Sequence, residues 1–331
     1  MLFSVITLTY KNFGHLKETI LSVLNQDYDS IEYIICDDHS PDFPEDQIRE
    51  WIEQNRKSNL KLYKILRQEK NVGTVKNINY AYHRASGDYF LNLSCGDVLF
   101  EKSTVSKIVK RIKENPSEML LTSRILYTGE FEPLGISPHF DEYDIIKSLS
   151  SKKDQYREFI KSHLFLMGSG SVLCVSRNLM ETMGYYDEKY LLLEDAPLIA
   201  KALQKIKIDC CPDIVSIWYE QGGISTGAVG LSSLSPKLKK DSCLYFETEL
   251  NDHPEMFSSF RKKIIEFDKV RMENTNKNDR MKMYLSHPII VLYLIIQKIK
   301  RKIQVPKLIK SDMVYIKKLL SERKEPAVDG C

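Results

Sequence analysis

Three groups of acids in this chain have the types and surroundings that chemistry needs. Asp37 and Asp38 close the apolar run "EYIICDDHS". Asp97 closes "LNLSCGDVLF", and Glu194 and Asp195 sit in "LLLEDAPL", where an apolar run gives way to a helix pattern. A carboxylate at the end of a buried strand can hold a divalent cation, accept a hydrogen bond from a ligand, or take a proton from a hydroxyl. Each also has a plainer reading, because adjacent acids after a strand commonly form a turn or stabilise a helix N-terminus. Asp97 is the lone carboxylate of its turn, with Ser94 and Gly96 standing where a richer cation site would carry further acids.

The elements that must position these residues are legible from periodicity. "FSVITLTY" (3–10) is apolar and β-branched and reads as a first buried strand. Leu16, Ile20, Val23 and Leu24 then repeat at helical spacing. "EYIICDD" is a second strand, residues 45–57 an amphipathic helix with Ile48, Trp51 and Ile52 on one side, and "LKLYKIL" a third strand. "NVGTVKNINYAYHRASGD" opens on a glycine turn and continues as a helix to about Arg84, and "YFLNLS" is the fourth strand. This alternation predicts an α/β fold, a mostly parallel sheet with helices on both faces. In such sheets ligands sit at the carboxyl ends of the strands. Tyr10, Asp37 with Asp38, Gly73 and Asp97 all fall at such ends or on the turns after them, and together they favour a site. Further on, 119–129 reads as a strand, 141–165 as polar helix, "GSGSVLCVSR" as a strand, and "IDCCPDIVSIWYEQGGIST" as a strand running into a glycine loop.

Several chemistries are excluded. "TYKNFGHLKE" after the first strand has no G-x-G-x-x-G, no P-loop occurs, and the lone GxG, Gly168-Ser169-Gly170, precedes a strand instead of following one. The seven histidines show no HxH or HExxH spacing. The seven cysteines form no CxxC pair and read as buried thiols in a reducing compartment. "MLFSVITLTY" lacks the basic start of a signal peptide, so a cytosolic protein is expected.

The stretches "VITLTYKNFGHLKETILSVLNQDY", "YIICDDHSPD", "NVGTVKNIN", "SGDYFLNLSCGD" and "LLLEDAPL" resemble, in order and spacing, glycosyltransferase family 2, whose members have the GT-A fold and use nucleotide sugars. The resemblance covers about residues 1–225 and implies a metal-dependent hexosyltransferase acting by inverting, single displacement. It sets Tyr10, beside Thr9, against the nucleotide base, and gives Asp38 a hydrogen bond from a uracil or similar base edge, with Asp37 ordering the turn. Gly73, beside Asn71, lets the backbone approach the diphosphate. Lys76 and Asn79, three residues apart and so on one helix face, suit phosphate and ribose contacts. Asp97 is implied as the ligand of Mn²⁺ or Mg²⁺. The family turn is close to Asp-x-Asp-Asp, and the departure to Ser94-Cys95-Gly96-Asp97 weakens the metal set and leaves Ser94 or backbone groups to hold the ribose. Asp195 is implied as the catalytic base, with Glu194 orienting the acceptor or its neighbour. Acceptor selection is assigned to "HLFLMGSGS", with His163, Gly168 and Ser169, and to a loop at Gly222–Ser225. "QGGIS" lacks the Gln-x-x-Arg-Trp of processive members, which implies one sugar added per encounter. The donor is expected to be a UDP-sugar, the acceptor a glycan or lipid-linked hydroxyl, and the setting bacterial surface polysaccharide assembly. The competing expectation is a partner subunit that binds sugar nucleotide with weakened catalysis.

These readings divide the chain into a catalytic domain, 1–235, and a helical region, 236–331. Residues 1–100 form the nucleotide-sugar half of the domain and 101–235 the acceptor half. Charge separates the tail. Residues 298–324 carry ten Lys/Arg and two acids, against a whole-chain net of +3. The apolar run Pro288–Ile296 is far shorter than the ~20 residues of a membrane span. It reads either as a core helix or as an interfacial helix at the inner membrane face, and 288–324 is expected to associate with membrane. No nucleic-acid module is recognisable, and nucleic acid is not expected as a partner.

Overall fold

The computed structural model describes residues 1–128, 132–162, 170–220, 235–273 and 276–328. Strands β1 (Phe3–Thr9), β2 (Ile31–Asp37), β3 (Leu60–Arg67) and β4 (Tyr89–Ser94) alternate with helices α1 (Leu16–Leu24), α2 (Glu45–Asn55) and α3 (Thr74–Tyr82). They pair in parallel in the order β3-β2-β1-β4. Every residue of β2 and all but Leu8 of β1 are buried, which is why these strands read as unbroken apolar runs. Adjacent residues point to opposite faces. Ile6 and Ile34 join an apolar layer with Val75 and Ile78 of α3, while Val5 and Ile35 join a second with Leu16 and Ile20 of α1.

The second half is mixed. After α4 (Thr104–Glu114) come β5 (Met119–Tyr127), β6 (Pro133–Ser137), α5 (Phe140–Ser148), α6 (Lys152–Ser162), β7 (Leu173–Ser176) and α7 (Arg177–Met183). Helix α8 (Asp195–Lys205) and strand β8 (Asp209–Glu220) follow. β7 lies antiparallel between β4 and β5, β6 is antiparallel to β5, and β8 runs parallel to β5. The expected α/β architecture, mostly parallel with helices on both faces, is therefore present, with every antiparallel strand pair involving β6 or β7.

The C-terminal region is helical as expected: α9 (Pro236–Asp252), α10 (Ser259–Glu273), α11 (Lys277–Ser286) and the 35-residue α12 (Pro288–Glu322). It is nonetheless tied closely to what precedes it. Leu238 and Tyr245 of α9 complete the first apolar layer. Ile316 and Leu319 of α12 pack with Phe100, Tyr127 and Trp218. Ala327 reaches the second layer, where its carbonyl accepts from Asn25 Nδ2 at 3.0 Å. Between these attachments, α10, α11 and the start of α12 share a small core of Ile264, Phe267, Met283 and Ile290.

Candidate active site

The turns at the carboxyl edge share one backbone feature. Lys11 after β1, His39 after β2, Gly73 before α3 and Gly96 after β4 all have positive φ, between 57° and 99°. For Lys11 and His39 the left-handed conformation costs on the order of 1 kcal/mol each, and such strain concentrates where a chain is shaped for a ligand.

Asp37 and Asp38 hold these turns together. Asp37 is fully buried. It accepts from Thr9 Oγ1 at 2.9 Å, from the Ser40 N–H at 2.7 Å and from Ser40 Oγ at 2.6 Å. Asp38 accepts the Val72 N–H at 2.8 Å, the Gly73 N–H at 2.9 Å and Asn71 Nδ2 at 2.9 Å. Burial pushes its carboxyl above the ordinary value, and the Val72 and Gly73 amides pull it back. The residue implied for the base edge thus also fixes the turn implied for the diphosphate. Tyr10 leaves its ring 43% exposed, with Lys11 Nζ 5.1 Å from the ring centre, so its face is open to a planar ligand.

Gly73 is required twice over. Its φ is 88°, and a Cβ there would lie 2.5 Å from Leu191 Cδ1 and 2.7 Å from the Leu191 carbonyl oxygen. That carbonyl accepts the Val75 N–H, so the segment before Glu194 is pressed against this turn. Lys76 is exposed on α3. Asn79 is tied into the protein. It is buried, donates to the Tyr186 carbonyl at 2.9 Å and to Glu188 Oε1 at 3.1 Å, and accepts the Tyr186 N–H at 3.1 Å. Helical spacing set it beside Lys76, but the 186–188 turn covers it and its amide bonds within the protein.

The turn after β4 is held from all sides. Asp97 Oδ2 accepts the Ser94 N–H at 3.0 Å, the Asp97 N–H donates back to the Ser94 carbonyl at 3.0 Å, and Asp97 is 1% exposed. The Gly96 N–H donates to Thr19 Oγ1 at 3.1 Å and its carbonyl accepts from the Tyr127 hydroxyl. Val98 exchanges backbone hydrogen bonds with Trp218 of β8. Among the described residues no group of three His, Cys, Asp or Glu side chains could hold a metal ion. The donor set fits Mg²⁺ or Mn²⁺ in a limited sense. Asp97 is one hard oxygen ligand and Ser94 is exposed at the turn, leaving the other positions to phosphate oxygens and water, an arrangement Mg²⁺ commonly adopts.

Glu194 and Asp195 open α8 across a short turn, Gly170–Val172, that packs along β4. Gly170 faces them: a Cβ there would be 3.6 Å from Asp195 Cβ and 3.9 Å from Glu194 Oε1. Burial pushes Asp195 above the ordinary carboxylate value, opposed by the Ala196 and Gly170 amides and by the Arg124 guanidinium. Burial and the negative charge of Asp195 raise Glu194 to about 8, so at neutral pH the pair retains a proton.

Two residues here were not singled out from sequence. Arg124 of β5 donates from Nη1 to Ser171 Oγ at 2.7 Å and brings its positive charge to Asp195. Its signal was available, as the lone cation inside the strand "MLLTSRILY". Asp241 of α9 accepts three successive N–H groups through one oxygen, from Leu191 (2.8 Å), Leu192 (2.6 Å) and Leu193 (3.1 Å). No local pattern marks it. His163, Gly168, Ser169 and the Gly222–Ser225 loop lie outside the described residues.

The model of the family described as "Glycosyl transferase family 2" matches residues 4–176, a span that takes in β1–β7 apart from Phe3 and all four carboxyl-edge turns but not Glu194 and Asp195. The chain belongs to glycosyl transferase family 2. An uncharacterized glycosyltransferase of Haemophilus influenzae is 28% identical over 114 residues, 34% of this chain and 33% of that one, so the match spans about a third of the relative's length. Among solved structures, S. aureus TarS 1–349 in complex with UDP-GlcNAc superposes with a TM-score of 0.54 at 21% identity, covering 86% of this chain and 73% of that one. The mannosyltransferase PcManGT from Pyrobaculum calidifontis, in complex with GDP-Man and Mn²⁺, gives 0.58 at 14% identity over 97% and 88%. This member of the family therefore has the GT-A-like fold of these neighbours.

Proposed function

We propose that this chain is an inverting, non-processive hexosyltransferase. It moves a sugar from a UDP-linked donor to a hydroxyl of a glycan or lipid-linked acceptor in the assembly of a bacterial surface polysaccharide. It works peripherally at the cytoplasmic face of a membrane. The observation that carries the chemistry is the placement of Asp195. Its carboxyl, raised by burial and backed by Arg124, abuts the 170–172 turn, which the antiparallel β4–β7 register sets at the carboxyl end of β4, the end that carries the Asp97 turn.

The base lies against Tyr10, and Asp38 accepts a hydrogen bond from its edge while holding the Val72 and Gly73 turn under the diphosphate. Lys76 adds positive charge on the phosphate side. The acceptor hydroxyl oxygen attacks the anomeric carbon from the face opposite the leaving group. The bond from that carbon to the diphosphate oxygen breaks as the new glycosidic bond forms, and Asp195 takes the hydroxyl proton. A carboxyl with a raised pKa is suited to this, because its proton affinity is closer to that of the hydroxyl as bond formation acidifies it. A divalent ion held by Asp97 would supply charge neutralisation on the departing diphosphate. Support for a nucleotide-diphosphate donor comes from the UDP-GlcNAc and GDP-Man bound to the two structural neighbours.

The test is transfer from a panel of UDP- and GDP-sugars, with the anomeric configuration of the product read by NMR. Inversion is expected, and Asp195→Asn should lower kcat about 10²- to 10⁴-fold while donor affinity stays within threefold. Retention of configuration, or full activity in Asp195→Asn, would overturn the assignment. Mn²⁺ should tighten donor binding in the native chain and not in Asp97→Asn, read by calorimetry.

A further inference from the structure

The first half of α12 carries an apolar stripe that no part of the described chain covers. Ile289, Leu292, Ile296, Ile299 and Ile303 follow one another at intervals of three and four, which puts them on one helix face, and they are 42–73% exposed. The opposite face is packed: Ile290 is 4% exposed and sits with Ile264, Phe267 and Met283. Over its first turns the helix is therefore buried on one side and bare on the other, while from Lys298 to Lys307 the described side chains are exposed all round, and a bare stripe of this length marks a contact surface. Beyond Pro306 the behaviour changes. Asp312 and Ile316 are buried, and Ile316 and Leu319 are fixed against Trp218 and Phe100.

Charge decides what covers the stripe. From Pro288 to Ser311 the chain holds six Lys or Arg and no acid. At 100° per residue, Lys300 flanks the stripe on one edge and Lys302 on the other, while Lys307 and Lys310 continue its line beyond Ile303. The spacing alone would also suit a second copy of the helix, but self-pairing would set this cationic segment against itself. An anionic surface neutralises it and still receives the apolar side chains. No described helix is long and apolar enough to cross a membrane, so the contact is one of lying on the surface.

We propose that the 289–303 face of α12 docks on a bilayer containing anionic lipid, with the isoleucine stripe entering the headgroup boundary and the lysines pairing with lipid phosphates or carboxylates. This deepens the membrane placement proposed above by naming the lipid class and the contact face. Its test reads no sugar transfer, so the docking and the enzymatic reading can fail separately.

The experiment is co-sedimentation of the full chain with phosphatidylcholine vesicles, with and without about a third phosphatidylglycerol, at low and high salt. Binding is expected to the anionic vesicles only, weakened by salt. Ile296→Glu with Ile299→Glu should weaken it about tenfold or more, and Lys300→Gln with Lys302→Gln should weaken it several-fold and flatten the salt dependence. Both pairs are exposed, and unchanged thermal melting shows that the variants fold. Equal binding to neutral and anionic vesicles, or no effect of either pair, would overturn the proposal. So would a concentration-dependent dimer that the isoleucine pair abolishes while the vesicles capture nothing.

Discussion

Asp37–Asp38 and Glu194–Asp195 are both adjacent acids near the carboxyl edge of one sheet, and their surroundings make them chemically different. Asp37 and Asp38 are met by hydroxyls and by N–H groups of other turns, from Thr9, Ser40, Val72 and Gly73, so their charge is used to bind protein. Glu194 and Asp195 have burial and each other, with the Ala196 and Gly170 amides and the Arg124 guanidinium opposing the rise at Asp195. One pair is spent on ordering turns, and the other is a pair that can exchange a proton. The difference lies in what surrounds each pair: Asp38 is raised by burial but pulled back by two amides of another turn, whereas Glu194 is raised by burial and again by the negative charge of its neighbour.

The contrast can be broken most severely at Asp38. Asp38→Ala leaves the Val72 and Gly73 amides without their acceptor. It should destabilise the protein by about 2–4 kcal/mol, a drop visible in thermal melting, and abolish donor binding in calorimetry. A loss of binding without loss of stability would show that Asp38 serves the ligand and not the turn.

A smaller effect is expected from Asp241→Asn, because an amide oxygen can still accept some of the three N–H bonds. Stability should fall by about 1–2 kcal/mol. The Asp241 charge also helps to raise Glu194. Its removal should therefore lower the pH at which Glu194 ionises, read from the alkaline side of the pH–rate profile.

The smallest change sharpens the contrast. Glu194→Gln copies the protonated state that Glu194 holds below about pH 8. Transfer below that pH should stay within about threefold of native, and the feature near pH 8 should disappear from the rate profile. Stability supplies a second reading. A carboxyl whose folded pKa is raised costs nothing while it is protonated in both states, and opposes folding increasingly as pH climbs from the ordinary Glu value toward about 8. The melting temperature of Glu194→Gln should therefore gain on the native chain between pH 5 and pH 8. A constant difference would place the shared proton elsewhere.

The parallel half was legible because strands buried on both faces write themselves as β-branched runs and their connections are short. The turns at Tyr10, Asp38, Gly73 and Asp97 followed directly. The mixed half was less so: β8 finds β5 some ninety residues back, and nothing local announces which edge it joins. The same limit explains Asn79 and Asp241. Periodicity places a residue on a helix face, but whether a distant turn covers that face is a tertiary fact. It also explains why residues 236–331 read as an extension, although Tyr245 and Ile316 lie in cores built largely by the catalytic strands.

Helix α12 spans about 50 Å at 1.5 Å per residue. Its C-terminal end shares a cluster with Val98 and Trp218, the residues that clamp the turn carrying Asp97. A rod rooted beside the donor turn works as a ruler. With its outer face resting on a surface, the helix axis runs along that surface, so helix length sets how far sideways the site of sugar transfer stands from the docked stripe, and removing whole turns would shorten that reach in steps of about 5 Å.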